Sequence, residues 1–443
     1  MRTKLMALEA IHYQDTKDFF KELTEVIVEI RTDIKALGSL NNIAFYRHEK
    51  IQAISKCIKK YTNIPIELNG EFSNQGPLVT LPQIAKNHIF WSMTPDSEEW
   101  NTNGVMQYFN KMKEKSKTFI GEVNIRTAQV SGAFSTMPME MGLPAHMLLG
   151  VGVWKSVNIA PDEVAGSILH EVGHVFTYYE FLTRIVNNNQ VLSAIARANI
   201  DNDVESKKYI ISKSEKDLKL APDDVQALLK TTDNNEVSVI LVQAAKAASI
   251  SELGLSIYDA VSCEQLADQF ANRMGAGKAV VIGLDKIHAL YGIGRSTSLV
   301  AKLLISIISA ILLISSPALF ITCAFYCIVI YLVTSISNSF ATDIYDEPHT
   351  RFLRIKHDLV NRLKDPRIND QERDSTLEDI KSIDTIIEKT PKEVLSFSSK
   401  IAYYFSSTKK SIYNSTMLQK ELEVFANNNL FVHAAKLKSA LGQ

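Results

Sequence analysis

His170, Glu171 and His174 are the residues whose types and spacing could do chemistry, in the run His170-Glu171-Val172-Gly173-His174. On a helix, side chains four apart project from one face, so the two imidazoles can converge on a single metal ion. The glutamate directly after the first histidine sits where a carboxylate can take a proton from a water on that metal. Histidine is sparse in this chain, 10 of 443 residues, which makes the pattern informative. A core helix with two surface histidines is the plain alternative.

Such ligands need rigid support. Ala160 to Leu169 reads as a helix start: Pro161 suits the first turn, and Asp162 and Glu163 complement the positive end of the helix dipole. Val164, Ile168, Leu169, Val172 and Val175 then supply an apolar surface for burial. A catalytic zinc takes three protein ligands and keeps one position for water. Glu264, on a second helix expected from about Tyr258 to Met274, can be the third ligand. Asp268 follows one turn later on the same face and could orient a ligating imidazole through its free N–H. Glu and Asp at this spacing also occur on solvated helix faces. Here they stand among Ala267, Phe270, Ala271 and Met274, which favours an inward-facing helix.

The run HEVGH, the later stretch Glu264-Gln265-Leu266-Ala267-Asp268-Gln269-Phe270-Ala271, and Arg273 to Gly277 leading into Val280 to Leu284 together resemble the gluzincin peptidases of the HtpX and CAAX-prenyl-protease type. The likeness covers roughly Gly121 to Leu290. It implies a zinc-dependent endopeptidase acting on a protein or peptide substrate, with one Zn2+ held by His170, His174 and Glu264. It further implies Glu171 as general base and Asp268 as the group that orients a ligand. Gly132-Ala133-Phe134 and the apolar stretch Met147 to Val153 look like the strand pair that precedes the active helix in that family, where extended substrate is held by backbone pairing. A later His and Arg can stabilise the tetrahedral intermediate in such enzymes, which makes His349, Arg351 and Arg354 candidates; a basic start to a solvent-exposed helix explains them equally well.

Composition narrows the remaining classes. A net charge of −1 and a charged fraction of 22% give no reason to expect a nucleic-acid partner. The four cysteines show no disulfide framework, and the first residues lack an apolar stretch long enough for a signal peptide, so a reducing, cytosol-like setting is expected for the catalytic part. Between Leu303 and Thr342 there is no Asp, Glu, Lys, Arg or His, and Ser315-Ser316-Pro317 interrupts the run. Two membrane-spanning helices need about 40 apolar residues and a turn, so a tight helical hairpin in a lipid bilayer fits. Arg295 and Lys302 before it, with Arg351, Arg354 and Lys356 after it, favour the cytoplasmic side for the catalytic part. A buried apolar hairpin in a soluble zinc peptidase is the other reading of this run. The HtpX-type enzymes place a helix pair between HExxH and the third ligand, whereas here the run follows Glu264.

The expected fold is α+β and mainly helical: a zincin-like core with a small mixed sheet beside the HExxH helix, an apolar helical hairpin and an all-helical C-terminal tail. The divisions are 1–62 (helical), 63–295 (metallopeptidase core), 296–340 (hairpin) and 341–443 (helical). Helices are expected over Asp15 to Leu37 and Asn42 to Tyr61, with Ile43, Phe45, Ile51, Ile54 and Cys57 inside. Strands are expected over Ile64 to Phe72, Leu78 to Leu81, Ile89 to Met93 and Gly121 to Ser131. Ser193 to Asn199, Ala221 to Lys230 and Val237 to Ala248 read as further helices, the first set off by Asn187-Asn188-Asn189; together they could form a lid or a structural layer. His349 to Leu363 and Asp370 to Glu388 begin the tail. A different class of function also accommodates the chain: a structural or assembly protein, in a membrane complex or a virus particle, on a peptidase fold.

Overall fold

The computed structural model describes residues 17–70, 77–80, 104–124, 127–143, 159–253, 260–286, 348–365 and 368–390. The chain divides into two compact units, Met1–Trp154 with Ala160–Ala276, and Lys155–Ile159 with Gly277–Gln443. The described part is mainly helical with a small mixed sheet. The stretch 296–340, where the apolar hairpin is expected, lies outside the described residues. Among those described, no helix is long and apolar enough to cross a membrane.

The first described element is α1 (Lys17–Thr32), whose Phe19, Leu23, Ile27 and Ile30 are fully buried at helical spacing. The expected helix to Leu37 breaks at Asp33, and a short α2 (Ile34–Leu37) follows. The next expected helix also divides, into α3 (Asn42–Arg47) and α4 (Glu49–Thr62). His48 is the break: it takes an extended conformation, and its Nδ1 accepts the Lys50 N–H as a helix cap. The helical phase resets there, so Ile43, expected inside, is 68% exposed, while Ile51, Ile54 and Cys57 are buried.

Strands β1 (Ile66–Asn69) and β2 (Leu78–Thr80) lie within the expected strands Ile64 to Phe72 and Leu78 to Leu81. Helix α5 (Val105–Ile120) then fills a stretch where no element is expected from the residue pattern. The predicted strand from Gly121 to Ser131 folds back on itself as a hairpin of β3 (Glu122–Asn124) and β4 (Gln129–Ser131), with Val123 opposite Val130. Ala128 takes a positive φ in the turn, and Asn124 Oδ1 accepts the Thr127 N–H, so local turn chemistry overrides the alternation. Gly132-Ala133-Phe134 forms no strand. It begins a 3-10 turn, Gly132–Thr136, because the Ser135 and Thr136 hydroxyls donate back to the carbonyls of Gly132 and Ala133. Gly132 has φ +74, and a Cβ there would lie 2.6 Å from the Gly121 Cα. Phe134 stacks on Tyr179, whose hydroxyl donates to the carbonyl oxygens of Phe134 and Met137. Met147 to Val153 and Ile89 to Met93 lie outside the described residues.

β5 (Met139–Gly142) pairs in parallel with β1 and antiparallel with β2, so the sheet order is β1-β5-β2. Met139 and Met141 face the core, and Glu140 faces out.

The organising element is α6 (Pro161–Ile200), 40 residues in one helix and so about 60 Å long. It runs unbroken through Asn187-Asn188-Asn189, where the sequence predicts a division. Asn188 is buried between Val186 and Val191, and packing outweighs the weak helix preference of asparagine. Helices α1, α5, α7 (Val204–Leu218), α9 (Asn234–Leu253) and α10 (Ala260–Ala271) all pack on it, while α8 (Pro222–Lys230) packs on α7 and α9. Helix α7, like α5 and β5, lies where no element is expected from the residue pattern. A π-helical turn, Asn272–Ala276, follows α10, with Gly275 at φ 92.

In the second unit, residues 277–286 are helical (α11), and α12 (Pro348–Arg362) packs on α13 (Asp370–Lys389). Lys356 Nζ, itself buried, lies 2.6 Å from Asp384 Oδ1.

Candidate metal centre

The start of α6 is built as its sequence suggests. Glu163 accepts the Ala160 N–H at 3.0 Å, closing the first turn, and Arg31 of α1 lies in the field of Glu163 and Asp162. Burial lowers the Arg31 pKa, and those two carboxylates oppose the shift. Val164, Ile168, Leu169, Val172 and Val175 are all fully buried, which locks the helix in rotation. That rotation carries His170 and His174 to one side, with their Nε2 atoms 3.2 Å apart and their rings nearly perpendicular.

Helix α10 delivers the carboxylates. Glu264 Oε2 lies 3.3 Å from His170 Nε2, and its Oε1 lies 3.3 Å from His174 Nε2. Asp268, one turn later, places Oδ1 2.9 Å from His170 Nδ1. All four side chains are largely buried. Burial opposes ionisation of Glu264, but the hydrogen-bonding and charge interactions with His170 and His174 outweigh it and hold the carboxyl down at about 2. Glu264 is therefore a carboxylate at neutral pH, although its Oε2 is buried and lacks a well-formed hydrogen bond. A buried anionic oxygen in that condition, beside two ring nitrogens, has the chemistry of a cation ligand.

Two small residues let the helices come this close. A Cβ on Gly173 would lie 2.8 Å from the Ala267 Cα and 2.9 Å from its carbonyl oxygen. Phe176 and Phe270 close the contact one turn further along. Neither Gly173 nor Ala267 stands out as a functional residue in the sequence; the signal is a glycine inside one motif and an alanine inside the other.

Glu171 stands beside the histidine pair and also reaches the sheet. Its Oε2 accepts the backbone N–H of Val79, in β2, at 3.0 Å. His170, Glu171 and His174 offer ligand atoms within 4.8 Å of one another and could hold a metal ion. The Glu264 carboxylate meets both ring nitrogens as well, whereas Glu171 Oε2 is engaged by Val79. Nothing in the sequence marks Val79. His349, Arg351 and Arg354 lie in α12 of the second unit, where all three are buried and not on the solvent-exposed helix start considered above.

No protein-family model, curated protein or solved structure matches this chain.

Proposed function

We propose that the chain is a zinc-dependent endopeptidase of gluzincin type, with a zincin-like core, His170, His174 and Glu264 as ligands and Glu171 as general base. One observation carries this reading: the triangle made by His170 Nε2, His174 Nε2 and the Glu264 carboxylate, with edges of 3.2, 3.3 and 3.3 Å. Ligand atoms on a tetrahedral zinc with bonds of about 2.0–2.2 Å stand roughly 3.3–3.6 Å apart, so the side chains suit that ion with little movement. The donor set, two imidazoles and one carboxylate, suits zinc and leaves a fourth position.

Zinc, when bound, acidifies a water and polarises the scissile carbonyl. The Asp268 carboxylate, 2.9 Å from His170 Nδ1, favours a proton on that nitrogen and so leaves Nε2 as the ligating atom. Glu171, beside the ligand pair but held to a different element, takes the proton of the attacking water and delivers it to the leaving amine. The apolar, uncharged run from Leu303 to Thr342 supports attachment to a bilayer, which carbonate extraction of membranes tests.

Replacing the base tests the reading directly. Glu171→Gln should retain zinc and lose about 10²–10⁴-fold in turnover of an unfolded protein substrate. Equal rates for wild type and variant would remove Glu171 from its role. A zinc-loaded wild-type chain that cleaves nothing would leave the structural or assembly role as the better account.

A further inference from the structure

We propose that the backbone N–H of Val79 is a positioning group for the general base, holding the Glu171 carboxylate in place from the edge of the sheet. The inference rests on the peptidase reading above and adds to it a residue outside both helical motifs.

Among the described residues β2 is an edge strand, since the sheet order is β1-β5-β2. In an antiparallel pair successive residues direct their N–H and C=O groups alternately towards and away from the partner strand. Val79 N–H donates to Glu171 Oε2 at 3.0 Å, on the side away from β5, while Leu78 and Thr80 are left to serve the ladder with Gly142 and Glu140. The only hydrogen-bond donor that an edge residue has to offer outward is thus directed at one side chain. A hydrogen bond to a carboxylate is stronger than one to a neutral acceptor. The bond occupies one carboxylate oxygen and leaves the other available.

The consequence is a division of labour across elements. His170 and His174 are fixed by the burial of α6 and by Glu264 and Asp268 of α10, whereas Glu171 projects towards the sheet, where β2 holds it. A base free to rotate about its side-chain torsions would spend less time aligned with the water it deprotonates. Misplacement by about 1 Å can lower turnover by up to about a hundredfold. Because Val79 touches neither the metal ligands nor the proton in flight, its effect must appear in turnover and not in zinc retention.

Two variants remove the donor. Val79→Pro deletes the N–H at an edge position where proline spares the ladder. Replacement of Val79 by its α-hydroxy acid deletes the N–H and keeps the side chain, so it serves if the proline variant does not fold. On the full-length, zinc-loaded chain with an unfolded protein substrate, kcat should fall about tenfold or more with KM and zinc content unchanged. In a Glu171→Gln background the same replacement should change nothing further, because no base remains to be held. Amide hydrogen exchange of Val79 in the metal-free protein gives a readout independent of activity: exchange should be about tenfold or more faster in Glu171→Ala than in wild type.

Unchanged exchange at Val79 in Glu171→Ala overturns the proposal, whatever the activity. Faster exchange with unaltered kcat in both Val79 variants, a rise in kcat, or a loss confined to KM also overturns it while leaving the peptidase reading intact. A wild-type chain inactive with zinc overturns the peptidase reading itself, and the positioning role with it.

Discussion

Both ring nitrogens of His170 have a carboxylate beside them, and the two carboxylates are placed differently. Glu264 faces Nε2 at 3.3 Å and also reaches His174, while Asp268 faces Nδ1 at 2.9 Å. A carboxylate on the Nδ1 side favours the tautomer that carries its proton there, which frees Nε2 for a cation and raises its basicity. Asp268→Asn keeps the size of the side chain and removes the charge. It should weaken zinc affinity about 10–100-fold without unfolding the protein, as read by competition against a chromophoric chelator. Affinity equal to wild type would mean that Asp268 does no more than fill space.

Between elements, the decisive quantity is the separation of α6 and α10. Gly173 and Ala267 meet backbone to backbone, and the 2.8 and 2.9 Å that a Cβ would find to Ala267 are too short for any side chain. Those atoms are main chain, so neither can rotate away; the helices must part. Parting them withdraws Glu264 and Asp268 together, since both ride on α10. Gly173→Val should therefore destabilise the fold by about 1–3 kcal/mol and abolish stoichiometric zinc binding. Urea unfolding of the metal-free protein and metal analysis of the purified variant report the two effects separately. A Gly173→Val protein that binds zinc with wild-type affinity would show that the helix spacing does not govern the site.

For the molecule as a whole, the length of α6 separates chemistry from scaffold. Its N-terminal half carries the histidines, and its C-terminal half carries a second core. There Val191, Ala194, Ile195 and Ala198 pack with Phe109 of α5, Ile210 of α7, Leu228 of α8 and Leu241 of α9. The stretch between α6 and α10 thus forms a helical layer with its own apolar centre. Leu228→Ala in that layer should lower stability by about 2–5 kcal/mol, seen as a lower midpoint in urea, and leave zinc stoichiometry intact. Loss of zinc in this variant under folding conditions would show the two halves of α6 to be coupled.

The residues that could do chemistry, and the helices that carry them, were legible in the sequence because both signals are local. A histidine pair four apart needs only one helix, and the apolar spacing of Val164, Ile168, Leu169, Val172 and Val175 states which side of that helix is buried. The same holds for Glu264 and Asp268 on α10, and for β1 and β2. Where local signals compete, the sequence could not arbitrate. His48 caps a helix and so breaks one, Asn124 and Ala128 turn a strand into a hairpin, and packing carries α6 through three asparagines. Tertiary structure alone decided that Gly173 would face Ala267, that Glu264 would stand within reach of both imidazoles, and that Val79, 92 positions before Glu171, would donate to it. Each of these is a meeting of residues distant in sequence, set by how closely two elements can approach, and periodicity within one element holds no information about that distance.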